Sequence, residues 1–518
     1  MILTTQTSPA SRTTRADTSM PGRGSAKTLP AVRNDRLTLA RIARTAMLDR
    51  GMLIQTEPAA LQELEQLTRS RLPTASETGI RDMREYSWVS IDNDESRDLD
   101  QVTFGELLDG GRVTIWVAVA DVDRLVPKDS QLDHHARHNT TSVYTPAMVF
   151  PMLPEALSTD LTSLNADQER IALVVEMGFG ADGVLTRSEL YRARIRNHAK
   201  LAYRSVAAWL DGTGAAPQQI AGSSEIATSL RIQDGLAQRL AVKRHRLGAL
   251  SLETPEPRAT FDDNALTHLD LDPNNRAKQL IEEFMIAANG VTATYLGSKG
   301  FPSLRRVLKS PERWNRIAQL ALALGTVLPD RPVATALENF LALRRILDPN
   351  GYPDLSLAVV KLIGRGEYVV DPPGEQAPGH FGLAVKNYTH STAPNRRYPD
   401  LISQRLVKAS ISGSPPPYTV RELATLAKEC TDREDDATKV ERRVRKSAAA
   451  MLLTGRVGEL FDAIVTGASA KGVWVRTFLP AVEGQLVRGF HSLDVGDRVR
   501  VKLVQADAER GFIDFIHE

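Results

Sequence analysis

The 518-residue chain reads as an α+β multidomain protein, on three observations. Residues 112–122, RVTIWVAVADV, are a near-continuous apolar run of the kind that fills a strand buried on both faces. Helical spacing of apolar residues dominates residues 276–412 and, with many charges, residues 421–453. The end of the chain breaks into five short strand-like segments with Gly-containing turns, which suits a C-terminal OB-fold β-barrel. A chain of this length carries about three or four domains.

Composition narrows the function classes. With one cysteine, Cys430, neither an internal disulfide nor a multi-cysteine metal centre is available. The 10 histidines show no paired-ligand spacing. No apolar run approaches the ~18 residues that span a bilayer, so a cytoplasmic protein without a membrane is expected. The net charge of +2 does not by itself announce a nucleic-acid partner.

Residues 1–35 are basic and rich in Ser, Thr, Pro and Gly, and read as a disordered tail. Residues 36–80 follow as a helical module. Leu37, Leu39, Ile42, Ala43 and Met47 mark one helix closed by Gly51, and Leu61, Leu64 and Leu67 mark another. The pair fits a helix-turn-helix or winged-helix unit, or a helical cap on the next domain. Residues 81–455 form the large α+β domain, with strands expected at 86–91, 112–122, 171–177 and 184–195. Strands at 460–465, 472–477, 483–487, 498–504 and 511–516 place the barrel at 456–518.

The most informative stretch follows the first strand. Asp92, Asp94, Glu95, Asp98 and Asp100 put five carboxylates within nine residues. Like charges so close resist ionising unless compensated. A hard divalent cation compensates them and needs only a few carboxylates plus water and substrate phosphate. A solvated acidic turn is the alternative. A calcium loop fits poorly, because Arg97 stands where Gly is needed and Thr103 where the bidentate Glu belongs.

A second constellation is NYTHSTAPNRRYPD, residues 387–400. Pro399 suits the first turn of a helix, which leaves Arg396 and Arg397 at a helix N-terminus where two guanidiniums can grip a phosphate. A surface Arg pair in ordinary salt bridges is the alternative. The third is a helix opened by Asp272 as cap and Pro273, with an apolar stripe of Leu280, Ile281, Phe284, Met285 and Ala288 flanked by Glu282, Glu283 and Asn289. Its acids either face solvent or accept hydrogen bonds from ribose hydroxyls.

Together these segments resemble the RNase II/RNase R (RNB) family of 3′-to-5′ exoribonucleases, from about Ser87 to Leu453, and the C-terminal barrel resembles that family's S1-type OB domain. Asp92, Asp98 and Asp100 match three of the family's four aspartates. Ser142-Val143-Tyr144-Thr145-Pro146, Pro151-Met152-Leu153-Pro154, Leu157-Ser158 and Ser163-Leu164-Asn165 match a further motif, Glu282 to Asn289 the EExMxxAN helix, and residues 387–400 the arginine motif.

The resemblance implies a hydrolytic exoribonuclease that degrades single-stranded RNA to nucleoside 5′-monophosphates in RNA turnover and acts as a monomer. It implies one or two Mg2+ ions held by Asp92, Asp98 and Asp100, with Mn2+ as a substitute, and Arg396 stabilising charge on the scissile phosphate. Tyr144 would be one jaw of an aromatic clamp and Phe261 the other. Glu282 or Glu283 would read the 2′-hydroxyl, and Arg397 and Tyr398 would bind substrate.

There are departures. Gln101 occupies the fourth acidic position; Asn395, Asn387 and Ser391 stand for Ile, His and Phe; Leu308 and Lys309 replace a His-Glu pair. These motivate an alternative, a catalytically degenerate RNA-binding protein of the same fold. The stretch before Asp92 is too short for the family's paired cold-shock domains.

Overall fold

The computed structural model describes residues 34–69, 79–253, 257–271, 273–375, 378–470 and 472–518. The tail expected at residues 1–35 falls outside them up to residue 33, and so does Asp272.

A six-stranded sheet organises the large domain. Its spatial order is Arg81–Asp82, Leu185–Ala202, Trp88–Asp92, Gln101–Leu107, Val113–Ala120 and Glu169–Phe179. The 18-residue strand Leu185–Ala202 makes the sheet curl back on itself. Its first part pairs antiparallel with Glu169–Phe179 and its last part parallel with Trp88–Asp92. Every residue of Val113–Ala120 is buried, as the apolar run requires, because helices cover the strand. Helices Ser224–Arg246 and Arg276–Ser298 pack on this sheet and on each other. The second is capped by Asn275, whose side chain accepts from the Lys278 amide, so it begins three residues beyond the foreseen Pro273.

The 34-residue helix Val420–Leu453 is the spine of the molecule. Thr419 and Glu422 form a capping box that satisfies its first amides. Its apolar stripe meets the large domain at one end and the C-terminal barrel at the other. The barrel strands are Leu460–Ser469, Gly472–Thr477, Glu483–Arg488, Arg498–Asp507 and Phe512–His517, closed in the order first, second, third, fifth, fourth. Alternate residues such as Val473, Val475 and Thr477 point inward, the period-two pattern legible in sequence. Gly511 fixes the docking. It has φ +66°, and a Cβ there would stand 3.1 Å from the Lys446 Cβ and 3.2 Å from the Ser447 amide.

The two N-terminal helices, Asp35–Leu48 and Pro58–Arg69, exist as foreseen but do not form a helix-turn-helix unit. Leu39, Ile42, Ala43 and Met47 of the first pack with Val440, Val444 and Ala448 of the long helix. Ala60 and Leu64 of the second join the main core beside helix Gln131–Asn139. Each helix buries its apolar stripe against a different neighbour, so the two do not pack together as one module. Among the described residues, no helix is long and apolar enough to cross a membrane.

Candidate active site

Asp92 is the last residue of its strand, and Asp98 and Asp100 lie in the loop leading to Gln101–Leu107. The loop before helix Tyr398–Ile411 closes over them. Asp100 is buried, with one carboxylate oxygen accepting the Asn395 amide at 2.9 Å and the other the Arg396 Nε at 3.0 Å. The Ser142 amide donates to the Arg396 carbonyl at 3.0 Å and the Tyr398 amide to the Thr140 carbonyl at 2.8 Å. These bonds tie the Tyr144 segment to the arginine loop. The Tyr144 hydroxyl donates to Asp98 at 3.3 Å, and its amide to Glu441 of the long helix at 2.9 Å.

The electrostatics follow from burial. Burial raises the Asp92 carboxyl above its usual range, countered by the Asn93 amide, the Ser96 hydroxyl and the Arg396 charge. Burial pushes Asp100 up to about 7, against the pull of Arg396 and the Asn395 amide. Burial also works against the charge of Arg396, but Asp100, Tyr144, Asp92 and Asp98 together hold its guanidinium above the ordinary value. Both Asp100 carboxylate oxygens accept N–H donors, the arrangement that favours the charged form against burial. The Arg396 side chain is still 43 % exposed, so its guanidinium remains open to a ligand.

The donor set fits a divalent cation shared with substrate rather than one caged by protein. Among the described residues, no three His, Cys, Asp or Glu side chains converge as a complete ion site. Asp92 and Asp98 are hard oxygen donors, and a small cation takes one or two carboxylates and completes its shell with water and phosphate. Asp100, foreseen as a third ligand, accepts one N–H on each oxygen, from the Asn395 amide and the Arg396 Nε, and keeps a further lone pair on each.

The other foreseen residues separate. Tyr398 is 2 % exposed and donates its hydroxyl to Asp133 at 2.9 Å, so it is a core residue and not a substrate contact. Arg397 is committed to Asp400 at 2.8 Å, and Asp400 also accepts the Thr392 and Ala393 amides. Arg397 therefore shapes the loop that carries Arg396. Glu283 is buried and held by the Arg244 guanidinium, whereas the Glu282 side chain is 47 % exposed. Of the two acids, only Glu282 is open to a sugar hydroxyl. Phe261 lines a cavity of about 470 Å³ with Asn93, Asp94 and Tyr203, under the Arg36 guanidinium at 5.1 Å from its ring.

Sequence reasoning missed Tyr203. Strand register pairs Asp92 with Ala202, which sets Tyr203 beside the acidic loop. Burial and then the Asp92 charge push its hydroxyl above the usual phenol range. No local pattern announces this, because the neighbour arises from a parallel pairing across about a hundred residues.

The RNB domain family matches residues 80–413, and the RNase II-type exonuclease C-terminal S1 domain matches residues 459–517. Ribonuclease R of Escherichia coli is 28% identical over 493 residues, covering 88% of this chain and 60% of that protein. Ribonuclease R of Aquifex aeolicus is 30% identical over 464 residues, covering 84% of this chain and 64% of that protein. The chain thus spans less than two thirds of these relatives' length. Mycoplasma genitalium RNase R in complex with ribose-methylated single-stranded RNA superposes with a TM-score of 0.83 at 23% identity, covering 94% of this chain and 78% of that one. A yeast pseudonuclease superposes with a TM-score of 0.68 at 17% identity, covering 89% of this chain and 57% of that one. These superpositions establish a common fold.

Proposed function

The chain belongs to the RNB family, and from that premise we propose that it is a Mg2+-dependent, hydrolytic 3′-to-5′ exoribonuclease. It acts on single-stranded RNA, releases nucleoside 5′-monophosphates, and works as a monomer in cytoplasmic RNA turnover. The observation that carries the reading is the Asp100–Arg396 pair beside Asp92 and Asp98.

Each residue has a physical task. Asp92 and Asp98 would hold the divalent ion, which supplies an activated water and neutralises charge on the leaving oxygen. Asp100 orients Arg396, whose guanidinium faces the scissile phosphate and stabilises the charge that develops there. Tyr144 stacks on a terminal base while its hydroxyl is tethered to Asp98. Hydrolysis adds water across the terminal phosphodiester, so the phosphate leaves with the 5′ side of the released nucleotide and the shortened chain keeps a 3′-hydroxyl.

The reading is tested with a 5′-labelled oligoribonucleotide and Mg2+. A ladder shrinking from the 3′ end, abolished by EDTA, supports it; no cleavage, or equal cutting of DNA, overturns it. Gln101 at the fourth acidic position favours a second reading, an RNA-binding protein that turns nothing over. Salt-dependent binding without a ladder in the same assay would establish that instead.

Two variants probe the substrate contacts. Tyr144→Ala is expected to raise KM by about 5- to 160-fold, since stacking is worth ~1–3 kcal/mol per base. Steady-state kinetics on short RNA measures it. Glu282→Gln is expected to narrow the preference for RNA over a substrate with a 3′-terminal deoxyribose, while Glu283→Gln mainly lowers the melting temperature, because it leaves Arg244 buried with half its pairing lost. Equal kinetic effects of the two variants would show that exposure does not separate their roles.

A further inference from the structure

The arginine motif carries a second outward-facing group. From Tyr388 to Asn395 every residue except His390 is buried, and the next residues to reach open space are Arg396 and Arg397. Arg397 is held by Asp400, so His390 and Arg396 are the two side chains of the motif left to meet a ligand. The turn that carries His390 is bolted on both sides. Thr389 donates its hydroxyl to the Leu304 carbonyl at 2.5 Å, and the Ser391 amide and hydroxyl donate to the Asn289 side chain at 2.9 and 2.8 Å.

The imidazole is fixed at one nitrogen and open at the other. Its ring lies edge-to-face between Tyr368 and Tyr388, with centroids 5.6 Å away in each case. Nδ1 stands 2.8 Å from the Tyr368 hydroxyl. Burial, then the Glu434 charge, pushes that hydroxyl well above the ordinary phenol range, so Tyr368 keeps its proton and donates it to Nδ1. The ring hydrogen therefore sits on Nε2, which has no partner among the described residues. Placement deep in the protein, then the charges of Arg397, Arg306, His380 and Arg396, holds the ring well below the ordinary histidine value, so it stays neutral. The leading charges acting on the ring are all cationic, which favours an anionic acceptor at Nε2.

We infer that His390 is a further substrate contact, whose Nε2–H donates to a non-bridging oxygen of the phosphate next upstream of the one that Arg396 faces. The inference rests on the reading above for the presence of an RNA strand at Arg396. Tyr368 is a positioning residue that acts through His390 by fixing its tautomer. A neutral donor of this kind grips the backbone without regard to base.

The test measures affinity of the full chain for 5′-labelled RNAs of about five nucleotides by fluorescence anisotropy, with EDTA present to prevent turnover. One RNA is unmodified, and two carry a single uncharged methylphosphonate, at the 3′-terminal linkage or at the next one upstream. His390→Leu is expected to weaken the unmodified RNA about tenfold, the scale of a hydrogen bond to a charged group. The same variant is expected to lose nothing further on the RNA modified at the upstream linkage, and to lose the full factor on the other. His390→Gln, whose amide keeps an N–H donor near the Nε2 position, is expected to stay within about threefold of the wild type. Tyr368→Phe is expected to weaken the unmodified RNA in the wild-type background and to have no effect beside His390→Leu, a dependence that loss of packing would not show. Should His390→Leu fail to fold, His390→Asn, too short to reach as Nε2 does, repeats the cycle. Native affinity of both His390→Leu and His390→Asn, or losses that add in full at the upstream linkage, overturn the proposal. Turnover of the unmodified RNA with Mg2+ is scored separately: its absence removes the nuclease reading and leaves the coupling to decide His390, whereas a wild type that binds no RNA removes both.

Discussion

Asp100→Asn is expected to lower kcat by about 10²- to 10³-fold while leaving the affinity for single-stranded RNA within twofold. Asparagine keeps the shape of the side chain, and its carbonyl still accepts the Asn395 amide that Asp100 holds at 2.9 Å. What it loses is the negative charge opposite the Arg396 Nε at 3.0 Å. The guanidinium is then free to swing away from the position where charge develops on the phosphate. A single preorganised electrostatic contact of this type is typically worth that much in rate. Binding survives because Tyr144 stacks on a base independently of the Asp100 charge. Single-turnover kinetics beside an equilibrium titration separates the two quantities. A variant that hydrolyses RNA at the native rate, or one that no longer binds it, removes Asp100 from the role given to it.

The second large effect is on stability. Arg405→Met is expected to destabilise the protein by about 3–5 kcal/mol, the range for breaking a buried charge network by removing one partner. The Arg405 side chain is 3% exposed. It donates to Asp123 at 2.9 Å, to the Tyr418 hydroxyl at 2.7 Å and to the Val126 carbonyl at 2.6 Å, and it pairs with Asp133 at 2.8 Å. Asp133, 3% exposed, would keep only neutral donors such as the Tyr398 hydroxyl. Asp123 would retain Lys408 at 2.7 Å. The network has a functional reach, because helix Tyr398–Ile411 begins two residues after Arg396. Thermal or urea unfolding measures the loss. A shift smaller than about 1 kcal/mol would mean that water or Lys408 compensates and that the network is not an anchor.

Much of the architecture is legible in the sequence. The second barrel strand occupies residues 472–477 as foreseen, because period-two alternation survives wherever one face is wet. The long helix starts one residue before its foreseen boundary, at the capping box of Thr419 and Glu422. The hairpin Pro257–Asp262 with Ala265–Leu271 was not foreseen. Its strands carry no clean alternation, and its Asp262-Asp263-Asn264 turn lacks the Gly that marks such a connection. The site was half legible in the same way. A run of acids and a pair of arginines stand out as chemistry, but neither says which member of the group will face a substrate.

Local pattern yields most of the elements, the barrel at the C-terminus, and the chemistry of the acidic loop and the arginine motif. Periodicity, caps and charge density are local, and folding does not rewrite them. Packing settles the rest: that Asp100 pairs with Arg396, that Glu282 is open while Glu283 is sealed by Arg244, and that Tyr398 is core. The Asp100–Arg396 bond joins positions 296 residues apart. Whether a polar side chain is buried with a partner or exposed to a ligand depends on which distant surface arrives beside it, and that is set by packing and register rather than by its neighbours in the chain.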